Sequence, residues 1–510
     1  MVKRILLLFP FVNFFHAQTY PYKDVLWEKS MGGKQSEYLY NAIATPDYGF
    51  LLLGSSASDK VNGDQKTTQG DLDFFISKLN ENGTEEWKQR FGGDKNDFLT
   101  SGALTKDGGY ILGGFSYSSL SGDKKESGFG LADYWILKIN AEGTIEWQKT
   151  LGGEGSEELT SIIQTKDGGY LVAGISDSGK SGNKTSENKG GKDYWLLKLD
   201  SKGEISWDKT FGGSKTEVLK SIVETEQNYF ILGHSNSPGT NGNIKGFEAE
   251  ILKLNKKGDV EKSFRFGENE TTLLSSAYFD ARNQVFHLAV ISQNIRKKEL
   301  IVLQVDKDLN TISTLKKELS QNQDINHLIF TREQEYLLAG SELKNVKDRH
   351  SNQRSVSNYQ TMIIDRKGEM KWEKELKTDY FSYLQTALET RDGSVVLVGN
   401  SNSDAQGDKK AKAYGQQDYW VIKLGRKEGS TPKVFIEAYP NPTTDFVNIV
   451  VNADFKKASG KVINMAGQLV KEFPVPYRTT PVDLKNYPTG IYIITLQVDE
   501  TQHSIKIFKK

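Results

Sequence analysis

Few residues in this chain have the types and spacing to do chemistry, and most of those fail on their surroundings. Gly174-Ile-Ser-Asp-Ser-Gly179-Lys180-Ser181 fits the G-x4-G-K-S pattern of a phosphate-binding loop, and it follows an apolar run. Such a loop must open a helix whose N-terminus holds the phosphate. Here Gly182-Asn-Lys-Thr-Ser-Glu-Asn-Lys-Gly-Gly191 follows, which does not make that helix. Ser121-Gly-Asp-Lys124 and Ser181-Gly-Asn-Lys184 match S-x-x-K without the companion motifs of β-lactamases. No G-x-S-x-G elbow and no H-E-x-x-H string occurs. Asp200-Ser-Lys-Gly203 with Trp207 lacks the spacing of a sialidase Asp box. The six histidines are scattered, and His234 stands where sister segments carry Phe115 and Ile175. With no cysteine, disulfides, thiolate metal sites and Cys nucleophiles are excluded. No catalytic set, metal site or cofactor is expected.

What does recur is a polar loop. Five segments share G-x-S-x-S followed by Gly-Asp or Gly-Asn: Gly54/Ser56/Ser58/Gly63/Asp64, Gly114/Ser116/Ser118/Gly122/Asp123, Gly174/Ser176/Ser178/Gly182/Asn183, Gly233/Ser235/Ser237/Gly242/Asn243 and Gly399/Ser401/Ser403/Gly407/Asp408. Turn chemistry is one account, because Ser and Asp bond nearby backbone and Gly takes positive φ. A polar rim for cations or glycans is the other. Calcium sites want several carboxylates per loop, and each loop offers one or two. The candidate ligand residues are Ser56, Asp64, Ser116, Asp123, Ser176, Asn183, Ser401 and Asp408.

These loops sit in a repeat of about 60 residues. Trp27-Glu-Lys-Ser-Met-Gly-Gly, Trp87-Lys-Gln-Arg-Phe-Gly-Gly, Trp147-Gln-Lys-Thr-Leu-Gly-Gly and Trp207-Asp-Lys-Thr-Phe-Gly-Gly are each 60 residues apart, and weaker copies start at Phe264, Leu315 and Trp372. Each copy holds four short apolar runs separated by turn signals, as in Leu159–Thr165, Tyr170–Gly174, Asp193–Leu199 and Glu204–Phe211. Four antiparallel strands per repeat make a propeller blade. The order from the centre outward is the Ser-Ile-Ile strand, Tyr-Leu-Val-Ala-Gly, Asp-Tyr-Trp and the Trp strand. Seven inner strands predict an all-β, seven-bladed propeller over residues 18–424. The seventh repeat ends at Asp418–Leu424 without an outer strand, so Val25–Met31 is expected to complete it and remove an open edge. The GG crossings and the long loops then share one end of the ring. Blades seven, one, two, three and four group the shared loops. Blade five has a short turn near Gln293–Lys298, and blade six a basic loop from Lys344 to Arg354. The repeated tryptophans could be sugar platforms, with packing between blades as the default.

Lys plus Arg and Asp plus Glu both number 66, so there is no charge signal for nucleic acid. Met1–Ala17 has a basic start, an apolar stretch too short to span a bilayer and a small final residue, the layout of a secretory signal peptide. No later segment is apolar enough to cross a membrane. After a polar linker, 425–434, the pattern changes at Tyr439-Pro440-Asn441-Pro442. Gly467, Pro488-Thr-Gly490-Ile-Tyr492 and a basic end complete a stretch of about 75 residues that resembles the type A sorting domain of the type IX secretion system of Bacteroidota. The resemblance implies a small β-sandwich over 435–510, handled by the outer-membrane translocon and usually cleaved, and release or surface attachment after passage through the periplasm. The expected function is a secreted or surface-bound, monomeric, non-catalytic binding protein for an extracellular glycan or protein. The alternative is an enzyme acting on extracellular polymer at the propeller mouth. Ala17 is the small residue before the cleavage point, so the mature chain should begin at Gln18. N-terminal sequencing of exported protein checks this, and a retained Met1 would contradict it.

Overall fold

The computed structural model describes Tyr22 and residues 24–58, 70–238, 246–267, 271–347, 353–426 and 435–510. The expected leader, Asp64 and Asn243 lie outside them. All regular structure among these residues is β-strand. No helix there is long and apolar enough to cross a membrane.

The third repeat shows how the sequence dictates a sheet. Glu157–Gln164, Tyr170–Ser176, Asp193–Leu199 and Ile205–Phe211 pair antiparallel in that order. The two middle strands are buried along their whole length, which is why they read as unbroken apolar runs. The outer strand is half exposed and alternates. At the first turn, Asp167 Oδ1 accepts from Thr165 Oγ1 (2.5 Å) and Gly169 N (3.0 Å). At the hairpin, Asp200 Oδ1 accepts from the backbone N–H groups of Lys202 and Glu204 (2.8 and 2.9 Å).

Between Asp24 and Gly425 the described residues form seven such four-stranded antiparallel sheets, each consistent with a propeller blade. Six are continuous in sequence. The seventh joins Ser382–Glu389, Val395–Ser401 and Asp418–Gly425 to the N-terminal strand Asp24–Met31, which pairs antiparallel from Asp24↔Gly425 to Met31↔Tyr419. Each sheet shares a buried apolar cluster with the next. The seventh shares one with the first, where Val396, Val398 and Tyr419 meet Leu39, Leu52 and Phe75. The tryptophans take part in this packing. Trp27, Trp87, Trp147 and Trp207 each lie against the hairpin glycine of the following sheet: Gly83, Gly143, Gly203 and Gly258. A side chain at Gly83 would lie 3.0 Å from the Trp27 ring, and its φ of 77° already excludes most residues.

Two local expectations need correction. The two ends of the basic stretch, Lys344–Lys347 and Gln353–Arg354, are strand rather than loop, because Tyr336–Lys347 and Gln353–Ile364 pair as far as Lys347↔Gln353. Gly425, expected to start the linker, is the last residue of the seventh sheet and pairs with Asp24. The fifth sheet's turn is short, with its strands ending at Gln293 and resuming at Lys298.

Residues 435–510 form a three-stranded and a four-stranded sheet around one core that includes Val447, Ile449, Val462, Ile494 and Ile507. Asn441 ties the start of this unit to its end: its Nδ2 donates to Lys506 O (2.8 Å), and its Oδ1 accepts from Phe508 N (2.9 Å). Tyr492 is buried, with its hydroxyl on Pro488 O (2.8 Å). Tyr439 is exposed.

Deleting residues 18–33 should leave the strand Asp418–Gly425 as an open edge and cost several kcal/mol, since pairing and packing are both lost. Unchanged thermal stability after that deletion would show that the N-terminal strand contributes little.

Candidate functional site

The shared loops and the GG crossings meet at one end of the sheets, joined by a recurring hydrogen bond. The second serine of each loop accepts a backbone N–H from the crossing: Gln35 to Ser58, Lys95 to Ser118, Gly155 to Ser178, Lys215 to Ser237 and Tyr380 to Ser403, at 2.7–2.9 Å. The first serine points inward. Ser56, Ser176 and Ser235 donate to Glu37, Glu157 and Glu217 (2.9, 2.7 and 2.6 Å), Ser116 bonds Asp97, and Ser401 bonds Ser382 (2.8 Å). Glu37, Asp97 and Glu157 also take the N–H of the second crossing glycine, Gly33, Gly93 or Gly153.

A cation completes each cage, buried in all but the fourth repeat, where Arg265 is half-buried. Lys124 and Lys184 donate to the carbonyls of Ser118 and Ser178 (2.7 and 2.8 Å). Lys409 is equally buried and donates to Ala411 O (2.6 Å). In the first and fourth repeats the loop position holds Gln65 or Ile244. There Arg90 and Arg265, from the outer strand, donate to the equivalent carbonyls of Ser58 and Ser237, both at 2.7 Å. Where the loop has its lysine, that outer-strand position holds Thr150, Thr210 or Ser30. A loop lysine with a small hydroxyl and an outer arginine without one are two solutions to the same problem, and the exchange is visible in the sequence once the strands are aligned.

The double glycine follows from the same geometry. A Cβ on Gly32, Gly92, Gly152 or Gly212 would fall within 2.0 Å of an oxygen of Asp418, Asp73, Asp133 or Asp193. A Cβ on Gly93, Gly153 or Gly213 would strike the Cβ of Ser118, Ser178 or Ser237 at 2.5–2.6 Å.

The candidate ligand residues are therefore not alike. Ser56, Ser116, Ser176 and Ser401 are buried, with their hydroxyls spent inside the cage. Asn183 caps a crossing, its Oδ1 accepting from Gly152 N (3.3 Å). Asp408 is exposed, with Oδ2 accepting from Lys377 N (2.8 Å). Asp123 is half buried, and its N–H donates to Gly92 O (2.8 Å). His234 is buried against Phe247, and burial holds its ring pKa down at about 4. The buried carboxylate pair Asp193 and Glu217 lies under a crossing, closed to any substrate. No group of three or more metal-ligating side chains occurs among the described residues.

What this end of the sheets presents to solvent is aromatic, on one side. Tyr380, Phe381 and Tyr383 of the seventh repeat, Tyr38 of the first, and Phe98, Phe115 and Tyr117 of the second all lie at the crossings and loops. Tyr380, Tyr383 and Tyr117 are 51%, 44% and 37% exposed. Phe98 stacks on Phe115 (4.8 Å between centroids), and Phe381 lies parallel to Tyr383. Glu158 and Val218 take the place of Tyr38 and Phe98 in the third and fourth repeats. Of these rings Tyr38 lines a cleft of about 450 Å³, together with Gln35, Ser36, Asp71, Asn96 and Gln416. The alternating strand pattern does not distinguish these rings from packing residues, and only the fold brings the three repeats together.

Burial pushes the carboxyl of Asp97 up to about 6 and that of Asp193 up to about 7, the latter with help from Glu217 beside it. The fold thus favours their neutral forms. That stability is present in full below the ordinary carboxylate range and is lost as pH rises through 6 to 7. Asp193→Asn should match the native chain in melting temperature near pH 3 and exceed it at pH 8. An unaltered pH profile would mean that Asp193 is charged throughout.

Residues 437–510 match the Secretion system C-terminal sorting domain family. No curated protein matches the chain in sequence. Among solved structures, Drosophila Plexin A in complex with Semaphorin 1b is similar at 9% identity and a TM-score of 0.44, over 79% of this chain and 87% of that one. Drosophila Semaphorin 2a is similar at 7% and 0.42, over 96% and 99%. A member of the DUF4221 family from Bacteroides vulgatus is similar at 11% and 0.35, over 65% and 92%. These likenesses are too distant to bear on function. The C-terminal match does bear on it: the chain ends in a type IX secretion sorting domain and is exported to the cell surface or exterior.

Proposed function

We propose that the seven sheets close into a single seven-bladed ring, sealed by the N-terminal strand, and that this ring is a non-catalytic binding module for neutral glycans. Its source would be a bacterium of the Bacteroidota, its export signal the N-terminal leader, and its export partner the type IX translocon. The ring reading draws on the seventh sheet, which is completed by Asp24–Met31 and packs on the first.

The observation that carries the binding reading is the set of rings at the loop end of repeats seven, one and two, of which Tyr38 lines the cleft. Tyrosine and phenylalanine faces stack on the apolar faces of sugar rings, and the amides of Gln35, Asn96 and Gln416 offer both donors and acceptors to hydroxyls. The volume lies within the range of small-ligand sites. A lining of amides and hydroxyls with one carboxylate suits an uncharged ligand better than an anionic one. Asp123 and Asp408 stand on the flanking loops of the second and seventh repeats, so the arc is lopsided rather than a full circle.

A glycan array probed with the exported chain tests this. Tyr38→Ala and Tyr383→Ala should each weaken the best binder by roughly tenfold, about 1.4 kcal/mol, with little change in melting temperature. Asp123→Ala and Asp408→Ala should weaken it less. Lys202→Ala, on a hairpin at the other end, should leave it unchanged. Loss of binding on the hairpin change, with none on the tyrosine changes, would place the site on the wrong face. Separately, a chain lacking residues 439–510 should remain in the periplasm, and its normal appearance in the medium would contradict handling by the translocon.

A further inference from the structure

At the end opposite the loops, the sorting domain rests on the turns of three sheets, and the contacts straddle the join between the last sheet and the first. In the first repeat the turn reads Thr45-Pro-Asp-Tyr48-Gly49, where the second, third and seventh repeats carry Gly108, Gly168 and Gly393 at the position of Tyr48. Tyr48 adopts a φ of 66°, a conformation that is strained for a bulky residue. Its hydroxyl donates to Glu437 Oε1 of the sorting domain (2.6 Å). Arg391, from the seventh sheet, lies over the Tyr48 ring at 4.6 Å, pairs with Glu437, and donates to Pro46 O (2.6 Å).

The second contact is at the hairpin of the first sheet. Arg478 of the sorting domain forms a two-pronged pair with Glu81 (3.1 and 3.4 Å), and both side chains are largely buried. The backbone of that hairpin is held from the seventh sheet. Trp27 Nε1 and Lys423 Nζ donate to Glu81 O (3.0 and 3.3 Å), and Lys29 Nζ to Gly83 O (2.5 Å). In the second repeat, a Cβ at Gly108 would meet Asn448 of the sorting domain at 2.8 Å, whereas at Gly168 and Gly393 it would meet nothing. A strained tyrosine stands where sister turns have glycine, and a glycine is packed where sister glycines are free. Both lie under the sorting domain.

From these contacts we infer that the sorting domain docks as a clamp across the seam of the ring, holding the seventh sheet to the first. The docking surface exists only when the N-terminal strand has closed the seventh sheet, because Arg391 must stand beside Tyr48, and the hairpin that carries Glu81 must be held at Glu81 O by Trp27 and at Gly83 O by Lys29. The inference rests on the closed-ring reading proposed above. It adds a role for the tail within the exporting chain, on the face away from the proposed ligand cleft.

Hydrogen exchange on the full chain tests it, read at the seam strands Asp24–Met31 and Asp418–Gly425 with Glu157–Phe211 as the internal reference. Arg478→Glu should speed exchange at the seam several-fold and leave the reference sheet unchanged. Combining it with Glu81→Arg should restore protection, which a merely local effect would not do. Tyr48→Gly should also speed seam exchange, although it relieves the backbone strain; Tyr48→Phe should do so more weakly. If the single changes loosen the sorting domain but leave the seam as slow as in the native chain, there is no clamp. If they alter protection nowhere in 435–510 or in the turns at Thr45–Gly49 and Asn80–Thr84, the domain is not docked. If the native seam strands exchange as fast as unpaired chain, the ring itself is open and the inference falls with it.

Discussion

A sheet that hands its chain on to the next must bury a backbone crossing, and a buried crossing has N–H groups that need acceptors. In this protein the acceptors are carboxylates and serine hydroxyls, and the carboxylates in turn need a cation. Glu157 takes the Gly153 N–H and the hydroxyls of Ser176 and Ser178, while Lys184, held by the carbonyls of Ser178 and Ser186, lies close enough to Asp193 and Glu157 to feel their charge. Isolated, these polar groups would be expensive to bury; bonded to backbone and hydroxyls, they fix where one sheet stops and the next starts. The glycine pair, the Asp of Asp-Tyr-Trp and the G-x-S-x-S loop are pieces of this one object. Their recurrence needs no ligand to explain it.

That is also why the fold was legible and the site was not. Period-two strands, turn signals and a 60-residue spacing depend on residues close in sequence, so the sheets, their order and the pairing of Val25–Met31 with the last strand could be read directly. The serines Ser56, Ser116, Ser176 and Ser401 looked like a rim because a repeated polar loop looks exposed. Only the position of Glu37, Asp97, Glu157 and Ser382 on a different strand shows that the hydroxyls point in. The substitution of Arg90 for a loop lysine was in the sequence, but recognising it requires knowing that residues 90 and 124 occupy equivalent cages. The aromatic arc is harder still. Tyr38, Phe98 and Tyr383 come from strands that are neighbours only because the first and last sheets pack together.

The two ends of the sheets are built for different work. At the loop end, repeats seven, one and two carry rings where repeats three and four carry Glu158 and Val218. At the turn end, the same three repeats carry Arg391, Tyr48 and Gly108 against the sorting domain. Among the five repeats that share the loop, the residues that set repeats seven, one and two apart thus lie near the seam on both faces. In a repeat protein the consensus records what every unit needs for stacking, and departures from it mark what a unit does alone.

The seam also bears on how the chain can fold. Its partners lie about 400 residues apart, Asp24 against Gly425. The entropy of closing a loop grows only as the logarithm of its length, each doubling adding about 0.6 kcal/mol. Closure over the whole chain is thus little dearer in equilibrium terms than closure over a few repeats; its burden is kinetic, because the pairing must wait until both ends are present. Until then Asp418–Gly425 is an unpaired edge with both faces apolar, the kind of edge that invites pairing between chains. An N-terminal strand that pairs with the last strand removes that edge, and the contacts of Trp27 and Lys29 with the hairpin of the first sheet tie the closing strand to the sheet on its far side as well.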